Sequence, residues 1–430
     1  MTRDTPHLWT EQKLDARYEN LFGRAAGYLP ENRAALDAWL DDFSRDVHER
    51  RARNAIVRHP SVADLARLIE RDRIVRMYVS RMINEAHQRD CKNTVNDIPD
   101  LLDHLDCIVT STPKYQGPTA FPMSALFTYL MMTTDGYAVF RDQGFNKALL
   151  GILREWCAHL DSKDSQEVLN QKNGWLSPAA LADKKLNLQD FQINLQDPYG
   201  GFPSFNAFFH RELRKDKDVR PIDDPDDPRI IVSANDGKVV RIRRDIKRSD
   251  EFWAKGQRYS LYDMLDGSDL TDLFVGGDVF QSFLSGGDYH RWHAPVSGVV
   301  RSARVVEALM FTELEHTSGR DAGTESQVYG ASVNTRGLVF IECPPPIGMV
   351  CVMPLGMTEI SSVTLTVQPG DQVTKGQEMG YFSYGGSSMC LLFQKGAIEK
   401  FFPKDNTGDM EEGDPIKVNA RIAQAVGDEA

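Results

Sequence analysis

The pattern of apolar residues changes near residue 230, and that change limits the chain to a fold built from two kinds of structure. Before it, apolar side chains recur at helical spacing. Leu36, Trp39, Leu40, Phe43 and Val47 follow i, i+3, i+4, i+7 and i+11, one face of a helix. Pro60-Ser61 opens a second helix, with Ser61 as the expected N-cap and Val62, Leu65 and Ile69 on its inner side. Asn146 is the expected cap of a third, which buries Leu149, Leu153, Trp156 and Leu160. After the change, short β-type runs at 230–234, 338–343, 349–353 and 363–367 are separated by Gly and Pro. The stretches 294–300 and 367–376 read as hairpin halves of a barrel-like sandwich. Between the two regions lie turn signals, Asn173-Gly174-Trp175, Pro198-Tyr199-Gly200-Gly201 and Asp223-Asp224-Pro225-Asp226-Asp227-Pro228, with one amphipathic stretch, 202–213, expected as a short helix. The expected fold class is α+β: a helical N-terminal domain over 1–161, a linker and docking segment over 162–229, and a mostly antiparallel β domain carrying the chemistry over 230–430.

The 430 residues, 41% of them hydrophobic, suffice for two domains. A net charge of −12 argues against a nucleic-acid partner and against strong membrane association. The most apolar run, 123–132, is shorter than the ~20 residues of a spanning helix. The polar N-terminus, Met1-Thr2-Arg3-Asp4, lacks the apolar core of a signal peptide. Six cysteines, Cys91, Cys107, Cys157, Cys343, Cys351 and Cys390, show no CxxC spacing and are expected as reduced thiols of a cytoplasmic protein. No His or Cys pairs stand at zinc-finger spacing, so no metal is expected.

Near the C-terminus stands Gly385-Gly386-Ser387-Ser388. A Gly–Ser bond can break from within if the serine hydroxyl attacks the preceding carbonyl, which glycine leaves open for lack of a Cβ. The hydroxyl needs a base, usually neutral histidine, and the histidine needs a carboxylate to hold its tautomer. Candidate bases are His290 and His293, within Asp288-Tyr289-His290-Arg291-Trp292-His293-Ala294-Pro295, and a candidate carboxylate is Asp236, within Ala234-Asn235-Asp236-Gly237. Taken singly, Gly-Gly-Ser-Ser is a flexible loop and Asp-Gly a turn.

Their joint order, together with Phe202 to Arg220-Pro221-Ile222 and Lys255-Gly256-Gln257-Arg258-Tyr259-Ser260-Leu261, resembles the phosphatidylserine decarboxylase family. The resemblance implies self-cleavage between Gly386 and Ser387, conversion of Ser387 to a covalent pyruvoyl cofactor, and no need of pyridoxal phosphate. It assigns His293 and Asp236 to maturation and His290 to assisting decarboxylation, or to placing the carboxylate, of a substrate held as a Schiff base. The cleaved small chain, which begins at Ser387, stays bound to the large one, and a homodimer is left open. Gly385 and Ser388 stand where the family has Leu and Thr, no Pro precedes Asp288-Tyr289-His290, and Gly356-Met357-Thr358-Glu359-Ile360-Ser361 replaces the usual Val-Gly-Ser-Ile stretch. These departures, with Ser162-Lys163-Asp164-Ser165 and Gly174-Trp175-Leu176, resemble a subgroup of soluble fungal L-tryptophan decarboxylases. That implies a free aromatic amino acid as substrate, with Trp292, Phe283 and Met357 as pocket candidates and Glu359 as a polar contact. Two alternatives remain at this point: a decarboxylase making phosphatidylethanolamine from phosphatidylserine, and a non-catalytic carrier or scaffold. The second rests on the resemblance of 367–376 to the hairpin of biotinyl and lipoyl domains, although no Met-Lys-Met lies at its tip.

Overall fold

The computed structural model describes residues 32–88, 92–115, 121–249, 259–312, 322–359, 362–384, 387–402 and 413–427. Their chain forms two compact units, one from Met1–Ala180, Pro198–Phe205 and Leu309–Gly323, the other from Leu181–Asp197, Asn206–Ala308 and Thr324–Ala430.

The first unit is helical: α1 (Arg33–Ala52), α2 (Pro60–Arg71), α3 (Arg73–Gln88), α4 (Ile98–Val109), α5 (Pro122–Met131), α6 (Thr134–Val139) and α7 (Gln143–Leu160). The periodic faces are buried: Leu36, Leu40 and Val47 in α1, Val62, Leu65 and Ile69 in α2, Leu149, Leu153, Trp156 and Leu160 in α7. Trp39 packs partly buried against Leu36, Leu40, Ala125, Tyr129 and Met132. Two expected caps move. His59, not Ser61, caps α2, because Pro60 at the first position has no N–H to lose and its fixed φ suits a helix. Ser61 lies inside the helix, where its N–H donates to Glu155. Asp142, not Asn146, caps α7 by accepting from the Phe145 N–H at 2.8 Å, while the Asn146 amide donates to the carbonyls of Phe140 and Asp142. Of the amphipathic stretch at 202–213, only Phe205–Phe209 is helical.

The second unit holds the strands β1 (Ile230–Val232), β2 (Gly237–Arg243), β3 (Asp278–Leu284), β4 (Arg291–His293), β5 (Gly298–Val306), β6 (Arg336–Glu342), β7 (Met349–Gly356), β8 (Val363–Leu365), β9 (Gln372–Val373), β10 (Glu378–Phe382), β11 (Ser387–Phe393), β12 (Ile398–Phe401), β13 (Pro415–Ile416) and β14 (Arg421–Ala425). They form an eight-stranded sheet, β13-β2-β3-β11-β7-β6-β5-β9, and two three-stranded sheets, β1-β14-β12 and β4-β10-β8, with antiparallel pairing throughout. The class is α+β, as the change of periodicity requires. The two expected hairpin halves do meet: Gly298 pairs with Val373 and Val299 with Gln372. β3, β7 and β11 are buried along their whole length; β7 is apolar throughout, while buried polar residues of β3 and β11 such as Gln281, Ser282 and Ser388 are hydrogen-bonded.

Candidate active site

The register of the large sheet gathers the expected residues at one of its ends. Ser387 opens β11 and lies opposite Leu284, the last residue of β3, on one side and Gly356, the last of β7, on the other. Lys238 of β2 pairs with Phe283, which brings Gly237 level with Leu284 and Asp236 just beyond it. At about 4.8 Å per strand, Gly237 and Ser387 are roughly 10 Å apart along that row. Gly237 has φ 156°, and a Cβ there would sit 2.1 Å from the Phe283 carbonyl oxygen, so the close approach demands glycine. The segment after β3 carries Asp288 to His293, and the segment after β7 carries Met357 to Glu359. Gly385 and Gly386 lie outside the described residues, as does Cys91.

The two serines have different surroundings. Ser388 is pinned: its hydroxyl donates to the Ser282 carbonyl at 2.7 Å and accepts from the Gln281 amide at 3.0 Å. Gln281 in turn accepts from the Tyr259 hydroxyl at 2.6 Å and donates to the Gln327 carbonyl at 3.2 Å. Ser387 is fully buried, and its hydroxyl makes no hydrogen bond among the described residues. A buried hydroxyl without a partner costs stability and is worth an explanation. Opposed residues in an antiparallel pair share a face, so Ser387, Leu284 and Ser282 lie on one side of the sheet, and Ser388, Phe283 and Gln281 on the other. The Ser282 hydroxyl reaches the Asn235 side-chain oxygen at 2.9 Å, which places Asn235 on the face of Ser387.

Asp236 is 1% exposed and its carboxylate is saturated. Arg220 donates to both oxygens at 3.2 and 2.8 Å, Lys417 donates at 2.9 Å, and the Val418 N–H at 2.8 Å. Burial alone would raise its pKa, but the hydrogen bonds and charges of Arg220 and Lys417 outweigh it and hold the carboxyl below the ordinary range. His293 is held otherwise than the triad pattern anticipates. Its Nδ1 faces the Gly376 carbonyl at 2.7 Å and its Nε2 the Tyr289 hydroxyl at 2.9 Å. The tautomer is thus set by a backbone carbonyl, not by Asp236, whose oxygens are already occupied by Arg220, Lys417 and Val418. Burial pushes the His293 pKa below its ordinary value, against the opposing pull of the Gly376 carbonyl, Glu378 and Asp236. His293 stays close to Asp236 through the backbone, its N–H donating to the Ala234 carbonyl at 2.8 Å.

His290 is fully buried and stacks on Phe209 with ring centroids 3.9 Å apart; Tyr384, three residues before Ser387, meets the same Phe209 edge-on at 5.3 Å. Arg211, also fully buried, donates to the carbonyls of Gly287, Leu186 and Phe209, and so ties the turn before Tyr289 to the ring that supports His290. Burial lowers its pKa to about 10, only partly opposed by the charges of Asp288 and Asp236.

The pocket candidates divide. Glu359 is buried, and Thr358 before it has φ 50°, a left-handed conformation rare for a β-branched residue. Both follow β7 directly, as does Met357, at the end of the sheet that holds Ser387. Phe283 faces the opposite side of the sheet from Ser387, contrary to its expected place in the pocket, because side-chain direction alternates along β3. Trp292 is also displaced: its indole packs across Gly380, where an added Cβ would lie 2.2 Å from Cζ2. The lysine of the 367–376 hairpin, Lys375, is buried, with Nζ donating to the carbonyls of Asp224 and Asp227, so it is not presented for modification as a carrier lysine must be.

Arg220, Lys417, Tyr289, Asn235 and Gln281 were not singled out from the sequence. Arg220, Tyr289 and Asn235 stand inside the motifs named above, so a signal existed for them. Lys417 and Gln281 become visible only through long-range contacts. Among the described residues no cluster of His, Cys, Asp or Glu is arranged to hold a metal ion, and no helix is long and apolar enough to cross a membrane.

A family model described as phosphatidylserine decarboxylase matches residues 205–424, and a second with the same description matches 59–184. The chain is 35% identical to the decarboxylase iboD of Amanita muscaria over 74% of its own length and 99% of that protein. It is 28% identical to the L-tryptophan decarboxylase of Psilocybe cyanescens over 93% and 94% of the two chains. To phosphatidylserine decarboxylase proenzyme 3 of Schizosaccharomyces pombe it is 32% identical, over 53% of this chain and 23% of that one.

Proposed function

Because the chain belongs to the phosphatidylserine decarboxylase family, and is therefore a carboxy-lyase, we propose that it matures by cutting itself between Gly386 and Ser387 and then decarboxylates a free aromatic amino acid, such as L-tryptophan, to its amine. One observation carries the maturation reading. Of two adjacent serines at the head of a buried central strand, Ser388 is fixed by two hydrogen bonds and Ser387 is fully buried with a hydroxyl that none occupies.

Self-cleavage proceeds by attack of the Ser387 oxygen on the Gly386 carbonyl carbon. The hydroxyl proton goes to Nε2 of His293 and from there to the departing Ser387 nitrogen as the C–N bond breaks, leaving an ester. Loss of the Ser387 Cα proton then expels the Gly386 carboxylate from Cβ. The resulting enamine becomes an imine, which takes up water and releases ammonia, leaving a pyruvoyl group at position 387. That group supplies an electron sink for loss of carbon dioxide from an α-amino acid, the task pyridoxal phosphate performs elsewhere.

The residues around Ser387 suit such a group. The strand pairing of β11 with β3 and β7 fixes its backbone, and the small chain remains held by strands β11 to β14 after the cut. His290, steadied by Phe209, delivers the proton that replaces the lost carboxylate. Glu359 faces a polar group of the substrate. Support for an amino acid rather than a lipid comes from the L-tryptophan decarboxylase of Psilocybe cyanescens, matched over 94% of its length, whereas the S. pombe phosphatidylserine enzyme is matched over 23% of its length. A cytoplasmic site of action forms part of the proposal, supported by the buried thiols of Cys107, Cys343, Cys351 and Cys390.

Intact mass of the purified protein tests the maturation. Two chains split before position 387, the smaller lacking ammonia-equivalent mass, are expected, with a single uncut chain from Ser387→Ala and two chains still from Ser388→Ala. A wild-type protein that stays uncut removes the reading. Assays with tryptophan, tyrosine, phenylalanine and phosphatidylserine then identify the substrate; turnover of phosphatidylserine alone would replace the amino-acid assignment.

A further inference from the structure

Neutral imidazole has one donor nitrogen and one acceptor nitrogen. The Gly376 carbonyl, 2.7 Å from Nδ1 of His293, can only accept, so Nδ1 carries the proton and Nε2 the lone pair. The Tyr289 hydroxyl, 2.9 Å from Nε2, is therefore the donor. Resting on the self-cleavage proposed above, we infer that Tyr289 masks the base of maturation: its hydroxyl occupies the lone pair of His293 that must receive the Ser387 proton, and its displacement limits the rate of cleavage.

Three features support a mask over other roles. Tyr289 is not needed to choose the tautomer, because Gly376 already does so. It is also held firmly. The residue is 2% exposed, its ring packed against Phe191 and Val418, with the Phe191 centroid at 5.9 Å. Finally, burial raises the phenol pKa further above its ordinary value, the nearby Glu378 adding to the effect, so Tyr289 is poorly suited to pass the serine proton on as a relay. What the bond does achieve is satisfaction of a buried acceptor in a histidine that is 9% exposed. The price of that satisfaction is competition: Tyr289 and Ser387 cannot both donate to one lone pair.

The test is the first-order rate at which freshly made full-length precursor becomes two chains, followed by intact mass at fixed pH. Tyr289→Phe keeps the ring and removes the donor. Cleavage is expected to speed up by about two- to tenfold, the span of one neutral hydrogen bond, and His293→Ala is expected to abolish it. A merely structural role, or a proton relay, predicts an equal or slower rate in Tyr289→Phe, and either result overturns the inference. If wild type itself is never cut, the self-cleavage reading fails instead, so the two failures are distinguishable. Should Tyr289→Phe not fold, nitrogen NMR of histidine-labelled Ser387→Ala precursor decides: Nε2 of His293 must show a hydrogen-bonded lone pair, and a shift typical of an open one overturns the mask.

Discussion

Arg220 grips Asp236 through both carboxylate oxygens, Nε to Oδ1 at 3.2 Å and Nη2 to Oδ2 at 2.8 Å, with side chains 8% and 2% exposed. The fork geometry matches a planar guanidinium to a planar carboxylate, which an ammonium cannot imitate. Arg220 also donates to Asp190 at 2.7 Å, so one cation serves two acids.

Removing Arg220 should therefore be severe. Arg220→Met strands a buried carboxylate, and a loss of about 3–5 kcal/mol is expected. Urea unfolding in the Ser387→Ala background, where every molecule is a single chain, measures it. Adding Asp236→Asn to Arg220→Met should recover part of the loss, because the stranded charge is then gone. No recovery would mean that Arg220 acts through Asp190 alone.

Lys417 makes a shorter list of demands. It reaches Asp236 at 2.9 Å, but its side chain is 53% exposed. Solvent screens such a pair, and Lys417→Met should cost no more than about 1 kcal/mol in the same unfolding experiment. Since Lys417 belongs to the small chain and Asp236 to the large one, their contact also joins the two products of the proposed cut. Lys417→Met is expected to leave the chains associated in size-exclusion chromatography at moderate salt, the strand pairing of β11 being intact.

The histidines give stability a definite pH dependence. Burial holds the folded His293 below its ordinary value of 6.5, the value of the unfolded chain. Below that value the unfolded chain takes up a proton that the folded chain resists, so acid favours unfolding. The contribution is complete above about pH 7 and is lost as pH falls beneath 6.5, with a limiting slope of about 1.4 kcal/mol per pH unit for one proton. His104, fully buried in α4, is lowered by burial in the same way and adds its own share. Unfolding of Ser387→Ala precursor between pH 5 and 8 should show the fall, and His293→Gln should flatten it by up to one proton. Self-cleavage should likewise be flat above pH 7 and decline only on the acid side.

How much of this was legible in the sequence follows from the range of the interactions. The α+β class came from local periodicity, and the faces of α1, α2 and α7 are those that the spacing marks. The caps of α2 and α7 were misjudged by a few residues, because Pro60 and Asp142 compete with Ser61 and Asn146 and local composition does not rank them. The order of motifs along the chain named Asp236, Ser387 and Glu359 as candidates, but their collection at one end of the sheet comes from strand pairing. What stayed hidden is register. Phe283 adjoins Leu284 in sequence, yet a period of two sends it to the far face from Ser387. The partners of Asp236 were hidden for the same kind of reason, since Lys417 is 181 residues away.

Thr358 offers a test of stored strain. Its φ of 50° is costly for a β-branched side chain, whereas asparagine tolerates that region. Thr358→Asn is expected to raise the stability of the Ser387→Ala precursor by roughly 1 kcal/mol in urea unfolding. In the mature protein, unchanged kcat/KM would mark the strain as incidental, and a loss with stability gained would tie it to the placement of Glu359.

Trp292 was a pocket candidate, and its packing now argues for a structural part. Trp292 pairs across β4 and β10 with Gly380, and a Cβ at Gly380 would meet Trp292 Cζ2 and the Thr364 carbonyl oxygen, each at 2.2 Å. The carbonyl belongs to the paired strand β8 and cannot withdraw without breaking the sheet. Gly380→Ala should therefore destabilise by about 1–3 kcal/mol or more. Trp292→Phe, which removes part of a fully buried ring, should also lower stability, by about 1–3 kcal/mol. The decisive measurement is the ratio of kcat/KM for tryptophan over phenylalanine in Trp292→Phe. An unchanged ratio is expected of a side chain committed to Gly380; a ratio shifted severalfold would return Trp292 to the wall of the substrate pocket.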